Sequence, residues 1–231
     1  MGKSAETDAV VGQAIATLRR LGAEVLDPVP VPDYLVDASA PVYGMLVASD
    51  FKAQMGDYLK RRGPGLPRSF EELVAKANDP RTGYRSPGKA IGLRYQADTA
   101  LAQDDPQYLA LKNAQLAAIR AGMEALFTKH RLDALVYPTL PRPPPEIQPR
   151  EPPQPGSPIV LPTILASEAG MPDIAVPAGM TAAGLPVTIS FLGRAWNEGR
   201  LLGFAYDFEQ ETRAVRLPKH TPALASDVIT Y

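Results

Sequence analysis

The sequence predicts an α/β protein in which helices accompany several short β-strands. Residues 9–21 carry an amphipathic helical pattern, which supports the helical part of this prediction. Short apolar runs at 133–137, 174–176 and 187–192 are bounded by proline or glycine, as is typical of strands. Apolar residues make up 45% of the 231-residue chain, which is enough for a packed core.

The N-terminal part is predicted to form a helix, a turn and a strand in that order. The helix rests on apolar residues at helical spacing: Val10, Val11, Ala14, Ile15, Leu18 and Leu21. Gly22 then suits the left-handed conformation that commonly follows a helix. Residues 23–26 are predicted to be a short strand that ends at the prolines of 27–32, since proline cannot continue a ladder.

The middle of the chain is predicted to be mainly helical. One helix spans residues 35–59 and ends at the GPGLP sequence of 63–67. A short helix follows from Ser69, because Glu72 three residues later completes a capping box. The remaining predicted elements are a helix from Asp105 to about residue 131, a strand over 133–137, a helix over 162–169 that ends at Gly170, a hairpin of strands 174–176 and 187–192, and a helix capped by Asn197 that ends near Arg213.

A proline-rich surface loop is predicted over residues 139–160. Nine of the eighteen residues from Pro141 to Pro158 are proline, too many for a helix or an interior strand. We expect this loop to lie within a single domain that spans residues 1–231.

The composition excludes several classes of function. Lys and Arg total 24 against 25 Asp and Glu, so the net charge of -1 supplies no field to attract nucleic acid or an anionic membrane. The absence of cysteine excludes disulfides and thiolate metal sites and fits a reducing compartment. No apolar stretch has the length of a spanning helix, so we expect a cytoplasmic protein. With two histidines and no glycine-rich phosphate motif, the sequence predicts no metal and no cofactor.

No residue pattern in the chain predicts a catalytic nucleophile. None of the nine serines lies in the G-x-S-x-G turn that exposes a hydroxyl above a sheet. Ser49 precedes Lys52 by three residues, but both fall within a predicted helix, where a surface or capping serine is the more frequent role. The residues by themselves therefore predict a scaffold without catalytic groups.

Residues 161–210 form a distinctive pattern. A helix ends at Gly170, a strand closes on the VPAG sequence of 176–179, and GLP follows at 184–186. The next strand ends in LGR at 192–194, and the last helix carries an LL pair and an EQ pair. This order resembles the C-terminal part of the amidase signature family. The resemblance implies the C-terminal part of that family's mixed β-sheet, covered by helices.

The resemblance extends upstream and covers most of the chain. LRRLGAEVLD at 18–27 and DALVYPTLPRPPP at 133–145 are similar to two further segments of the family, whereas residues 40–130 are the least distinctive. Two positions depart from the family pattern. Asp173 stands where a small residue is usual, and Thr188 stands where glycine is frequent.

The resemblance also implies a function. Members of the family hydrolyse carbon–nitrogen amide bonds with two serines and a lysine, and the serines stand in a Gly/Ser-rich segment. No position of this sequence matches that segment, so no catalytic residue is assigned to it. We therefore expect a truncated or split amide hydrolase that is inactive alone. Its expected partners are a small-molecule amide substrate and an N-terminal amidase half.

Three pocket candidates follow from the resemblance: Thr139, Thr163 and Ser167. Thr139 follows the strand at 133–138, and the other two lie four residues apart on one helix face. Structural roles, as a helix cap for Thr163 and a packed residue for Ser167, compete with substrate binding. Trp196 is expected to pack beneath the last helix rather than to border the pocket.

Two other classes of function stay open at this point. A non-catalytic interaction module would use the PPQP sequence at 152–155 to dock on an aromatic groove. A complete enzyme with another mechanism would hydrolyse amides without a second polypeptide. Because a sheet without its neighbouring strands has an unpaired edge, we also expect the chain to self-associate as a homo-oligomer.

Overall fold

The computed structural model describes residues 4–84, 86–144 and 162–217. These residues form eight α-helices and three strands, which confirms the α/β class. In chain order the elements are α1 (Ala5–Arg20), α2 (Asp33–Lys60), α3 (Phe70–Ala77), α4 (Pro87–Thr99), α5 (Pro106–Ala110), α6 (Leu116–His130), β1 (Leu135–Pro138), α7 (Pro162–Ala169), β2 (Asp173–Met180), β3 (Pro186–Leu192) and α8 (Glu198–Thr212). None of the described helices is long and apolar enough to cross a membrane.

The described residues fall into two compact units. The first unit contains the sheet and takes its residues from 4–31, 124–144 and 162–217, and the second takes its residues from 32–123. The single domain expected over residues 1–231 remains a prediction. The proline-rich loop predicted over 139–160 lies largely outside the described residues.

The three strands of the first unit form an antiparallel sheet in the order β1, β3, β2. In one row across this sheet, Ser190 of β3 lies opposite both Tyr137 of β1 and Ala175 of β2. Directly opposed residues share a face and successive residues alternate, so these three side chains lie on one face. The predicted hairpin of β2 and β3 is confirmed, and Gly184 takes a positive φ of 79° in its turn.

The other face of the sheet is apolar and packs against α1 and α8. Phe191 of β3 is 2% exposed, and its ring meets Phe208 of α8 edge to face at 6.1 Å between centroids. The buried residues of this apolar cluster are Val10, Val11, Ala14, Leu18, Val176, Val187, Ile189, Phe191, Leu201, Ala205 and Phe208. The helical stripe predicted in the N-terminal segment therefore packs on the sheet, except for Leu21, which is 43% exposed.

The N-terminal helix follows the prediction, but the strand after it does not. Ser4 Oγ accepts a hydrogen bond from the Thr7 backbone N–H at 3.4 Å, and Gly22 has the expected left-handed φ of 94°. The strand predicted over 23–26 is wrong, because this segment pairs with no strand among the described residues. Val25 instead packs against the apolar cluster, while Leu26 is 49% exposed.

The helices of the second unit begin where side chains cap them. Ser69 Oγ accepts from the Glu72 backbone N–H at 3.1 Å, as predicted for α3. The Glu72 carboxylate accepts from the backbone N–H of Arg68, one residue before the cap, at 2.8 Å. Asp105 accepts from the Gln107 backbone N–H at 2.7 Å at the start of α5. A π-helical turn, Leu111–Gln115, then joins α5 to α6.

The last helix differs from its prediction in the cap. Asn197 precedes α8, yet its side chain makes no capping hydrogen bond. Its backbone carbonyl instead accepts from the N–H groups of Arg200 and Leu201 at 3.1 and 3.2 Å. The helix ends at Thr212, because Arg213 adopts a left-handed conformation with φ of 43°.

Candidate functional site

A concave pocket lies on the polar face of the sheet in the first unit. Its volume is ≈ 400 Å³. The lining residues are Thr139, Thr163, Ala166, Ser167, Met171, Asp173, Ala175 and Ser190. The sheet thus supplies one wall from β2, β3 and the residue after β1, and α7 supplies the other.

The structure brings all three sequence-predicted pocket residues to this pocket. The Thr139 backbone N–H extends the β1 ladder by donating to the Thr188 carbonyl at 3.1 Å, which fixes its position beside β3. Thr163 and Ser167 lie one turn apart on α7, and Ser167 Oγ donates to the Thr163 carbonyl at 3.2 Å. Their role in substrate binding remains a prediction.

Sequence reasoning did not assign four further residues to this site: Met171, Asp173 and Ser190, which line the pocket, and Tyr137, which bonds to Asp173. The three that lie in strands, Tyr137, Asp173 and Ser190, could have been found from the alternation of side chains between the two faces. In β3 the core residues Ile189 and Phe191 flank Ser190, which must point to the opposite face.

Side-chain hydrogen bonds join the strands across the polar face. Thr139 Oγ1 and Ser190 Oγ lie 3.0 Å apart, so β1 and β3 are linked through their hydroxyls. The Tyr137 hydroxyl donates to Asp173 Oδ2, which links β1 to β2 across the central strand. Burial, together with this bond to Asp173, raises the pKa of Tyr137 far above its usual value. The phenol therefore keeps its proton and acts as a donor.

The chemistry of the lining residues suits recognition rather than nucleophilic attack. No histidine or lysine is among the lining residues, so none of the four pocket hydroxyls has a nitrogen base in the lining to activate it. The carboxylate of Asp173 already accepts from Tyr137. Among the described residues, no group of three or more His, Asp or Glu side chains is arranged to hold a metal ion.

Ser49, the serine that precedes a lysine by three residues, has a structural role. Its hydroxyl donates to the Met45 carbonyl at 2.8 Å within α2 and accepts from the Leu101 backbone N–H at 3.0 Å. Lys52 donates to the Ala97 carbonyl at 3.3 Å and pairs with Glu71 at 3.4 Å. The expectation of a surface or capping serine is therefore wrong, because Ser49 is 1% exposed and lies inside α2, where its hydroxyl holds the Leu101 backbone.

The segment after β3 fixes one end of the sheet to two helices. The Gly193 N–H donates to the Pro172 carbonyl at 3.0 Å, and a Cβ at this glycine would lie 3.0 Å from Leu201 of α8. Arg194 pairs with Glu124 of α6, and its Nη2 donates to Thr128 Oγ1 at 3.0 Å. The LGR sequence is therefore a structural junction.

Trp196 takes neither of the positions considered from the sequence. The expectation that its ring packs beneath α8 is wrong, because the residue is 93% exposed. It is also not among the residues that line the pocket. Its positive φ of 67° belongs to the turn before α8, which directs the side chain outward.

Comparison with known proteins gives a consistent relationship. The model of the family described as Amidase matches residues 2–202. A probable amidase from Arabidopsis thaliana is 30% identical over 209 residues, which are 89% of this chain and 36% of the plant protein. A glutamyl-tRNA(Gln) amidotransferase subunit from Caldanaerobacter subterraneus is 31% identical over 210 residues, which are 87% of this chain and 40% of the bacterial protein.

A solved structure agrees with these sequence relatives. The native peptide amidase from Stenotrophomonas maltophilia superposes with a TM-score of 0.70 and 31% identity. The match covers 90% of this chain and 40% of the peptide amidase. The chain thus spans about two fifths of the length of these relatives.

Proposed function

We propose that this chain, which belongs to the amidase family, supplies substrate-pocket walls to an amide hydrolase whose catalytic serines and lysine lie outside these 231 residues. The observation that carries the proposal is the pocket on the polar sheet face. It combines Thr139, Thr163 and Ser167 with a lining that holds no histidine or lysine. Such a surface can hold and orient an amide, but it contains no activated nucleophile.

The proposal includes the partners and the setting of the chain. A small-molecule amide occupies the pocket, and an N-terminal amidase half brings the nucleophile to it. The absence of cysteine supports a cytoplasmic location.

Within the described sheet, β1 and β2 each have one unpaired edge, which supports self-association of the chain when it is purified alone. Light scattering at high concentration tests this part, and a monodisperse monomer would contradict it.

Complementation tests the proposed function. The purified chain is assayed for ammonia release from peptide amides, alone and mixed with the N-terminal part of the Stenotrophomonas maltophilia peptide amidase. We expect release from the mixture and none from the chain alone. Hydrolysis by the chain alone, or its stoichiometric labelling by a serine-directed phosphonate, would overturn the proposal.

A pocket variant sharpens this assay. Thr163→Val keeps the shape of the side chain and removes its hydroxyl, so we expect kcat/KM of the mixture to fall about tenfold, the size of one lost hydrogen bond. Thr212→Val is the matched control, because Thr212 Oγ1 donates to the Phe208 carbonyl within α8 and does not line the pocket. Equal rates for the two variants would contradict substrate binding by Thr163.

A further inference from the structure

Asp173 gives the pocket its charge. Among the described lining residues it is the one ionisable side chain, and the others carry hydroxyl, methyl or thioether groups. No ion pair joins Asp173 to a lysine or arginine among the described residues. The pocket therefore presents a carboxylate that the described part of the protein does not neutralise.

The carboxylate of Asp173 is held in place from two sides. Asp173 begins β2, and its backbone lies opposite Leu192 of β3 in the antiparallel ladder. Its Oδ2 accepts a hydrogen bond from the hydroxyl of Tyr137 on β1, while Oδ1 has no hydrogen-bond partner among the described residues. A fixed acceptor of this kind loses little conformational entropy when a ligand binds it.

The geometry points to Asp173 as the residue that selects amide substrates carrying a primary ammonium group in the part that enters this pocket. An ammonium group can donate to the open Oδ1 and meet opposite charge, whereas its alkyl stem can contact Met171 and Ala175. Hydroxyl oxygens of the pocket can accept hydrogen bonds from the two remaining N–H groups of the ammonium. A carboxylate-bearing substrate would meet like charge instead. This inference rests on the proposed function for the identity of the ligand as an amide.

Binding of simple probes tests the selection without any hydrolysis. The chain is labelled with ¹³C at its methionine methyl groups and titrated with butylammonium chloride and with its neutral counterpart, butan-1-ol. Met171 lines the pocket and reports binding, whereas Met123, 1% exposed in the second unit, serves as the internal reference. We expect butylammonium to shift the Met171 signal with a Kd about tenfold below that of butan-1-ol.

Two variants assign this preference to the charge of Asp173. Asp173→Asn keeps the size and an acceptor oxygen for Tyr137, so we expect both probes to bind it equally weakly. Asp207→Asn removes an exposed carboxylate on α8 that does not line the pocket, so it should keep the preference. Equal affinity for the two probes, absence of any Met171 shift, or a preference that survives Asp173→Asn would overturn the inference.

Salt dependence gives a second measurement that needs no variant. Raising the NaCl concentration should weaken butylammonium binding and leave butan-1-ol binding unchanged, because salt screens the attraction between charges. A preference for butylammonium that does not change with salt would overturn the inference that the charge of Asp173 selects the ligand. This test holds even if Asp173→Asn fails to fold. Probe binding and ammonia release are separate readouts, so the selection by Asp173 and the proposed hydrolysis can each fail without the other.

Discussion

The two faces of the three-stranded sheet differ in character although the same strands build both. On the face that packs against α1 and α8, Ile189 and Phe191 are 0% and 2% exposed. On the opposite face, Ser190 is equally buried, but its hydroxyl lies 3.0 Å from Thr139 Oγ1, and both residues line the pocket together with Asp173. The alternation places a packed core and the wall of the pocket within one residue of each other.

This difference implies that the two faces contribute unequally to stability. A side chain on the apolar face contributes through the surface it removes from water and through close packing. A side chain on the polar face contributes hydrogen bonds whose net value for stability is small. Substitutions on the two faces of β3 should therefore have unequal costs in the free energy of unfolding.

Phe191→Ala should produce the largest loss of stability. The ring is 2% exposed and contacts Phe208 edge to face, so its removal leaves a cavity between the sheet and α8. We expect the free energy of unfolding to fall by about 3–5 kcal/mol. Urea unfolding followed by circular dichroism measures the change. A loss below about 1 kcal/mol would contradict the assignment of this face as the core.

Gly193→Ala should have the next largest effect. The added Cβ would lie 3.0 Å from three atoms of Leu201, which is 2% exposed and cannot move aside freely. We expect a loss of about 1–3 kcal/mol from overpacking, measured by urea unfolding.

The same substitution at Gly203 is the matched control. Gly203 lies within α8, and a Cβ there would meet no heavy atom within 4 Å. Alanine should therefore stabilise the helix by up to about 1 kcal/mol. Stabilisation by both variants would show that Gly193 is not confined by Leu201.

The sequence predicted most of the first unit because its signals are local or belong to the family pattern. The stripe of α1, the strand β1, the helix α7 and the hairpin of β2 and β3 all lie where periodicity and turn residues place them. The strand at 23–26 failed because pairing depends on a neighbour that a local pattern cannot supply. Val25 shows the consequence, since it packs on the core without joining a ladder.

The second unit was harder to predict, and α4 illustrates the reason. Its buried residue is Ala90, and glycines at 88 and 92 interrupt the sequence, so no apolar stripe marks the helix. Its start signal was nevertheless present, because Ser86 Oγ accepts from the Lys89 backbone N–H at 3.4 Å and Pro87 follows the cap.

The candidate site was predicted in part. The family resemblance led to Thr139, Thr163 and Ser167, all of which line the pocket. Asp173 stood out in the sequence as a departure from the family pattern, but its pairing with Tyr137 depends on strand register. A three-strand register is a long-range property, which the residues near Asp173 do not encode by themselves.

Tyr137 should make the stability of the polar face depend on alkaline pH. Burial and the bond to Asp173 raise its pKa above the ordinary value of 10.0, so the folded protein retains a proton that the unfolded chain releases. This contribution to stability is complete below about pH 10 and decreases as the pH rises further. Urea unfolding between about pH 9 and about pH 11 should show a steeper decline for the wild type than for Tyr137→Phe. Tyr206→Phe, at a 62% exposed site, should keep the wild-type slope, and a matching slope for Tyr137→Phe would contradict the role of the phenol.

Ser190→Ala should cost the least, about 1 kcal/mol or below, although Ser190 is as buried as Ile189 beside it. Its Oγ meets Thr139 Oγ1 at 3.0 Å, and Thr139 also lines the pocket, where water can replace the lost partner. Ser49→Ala is the matched comparison, because it deprives the Leu101 backbone N–H of its acceptor and should cost about 1–3 kcal/mol. Urea unfolding measures both losses. A larger loss for Ser190→Ala than for Ser49→Ala would mean that hydrogen bonds on the polar face contribute strongly to the stability of the sheet. That result would contradict the expectation that the two faces of β3 contribute unequally to the free energy of unfolding.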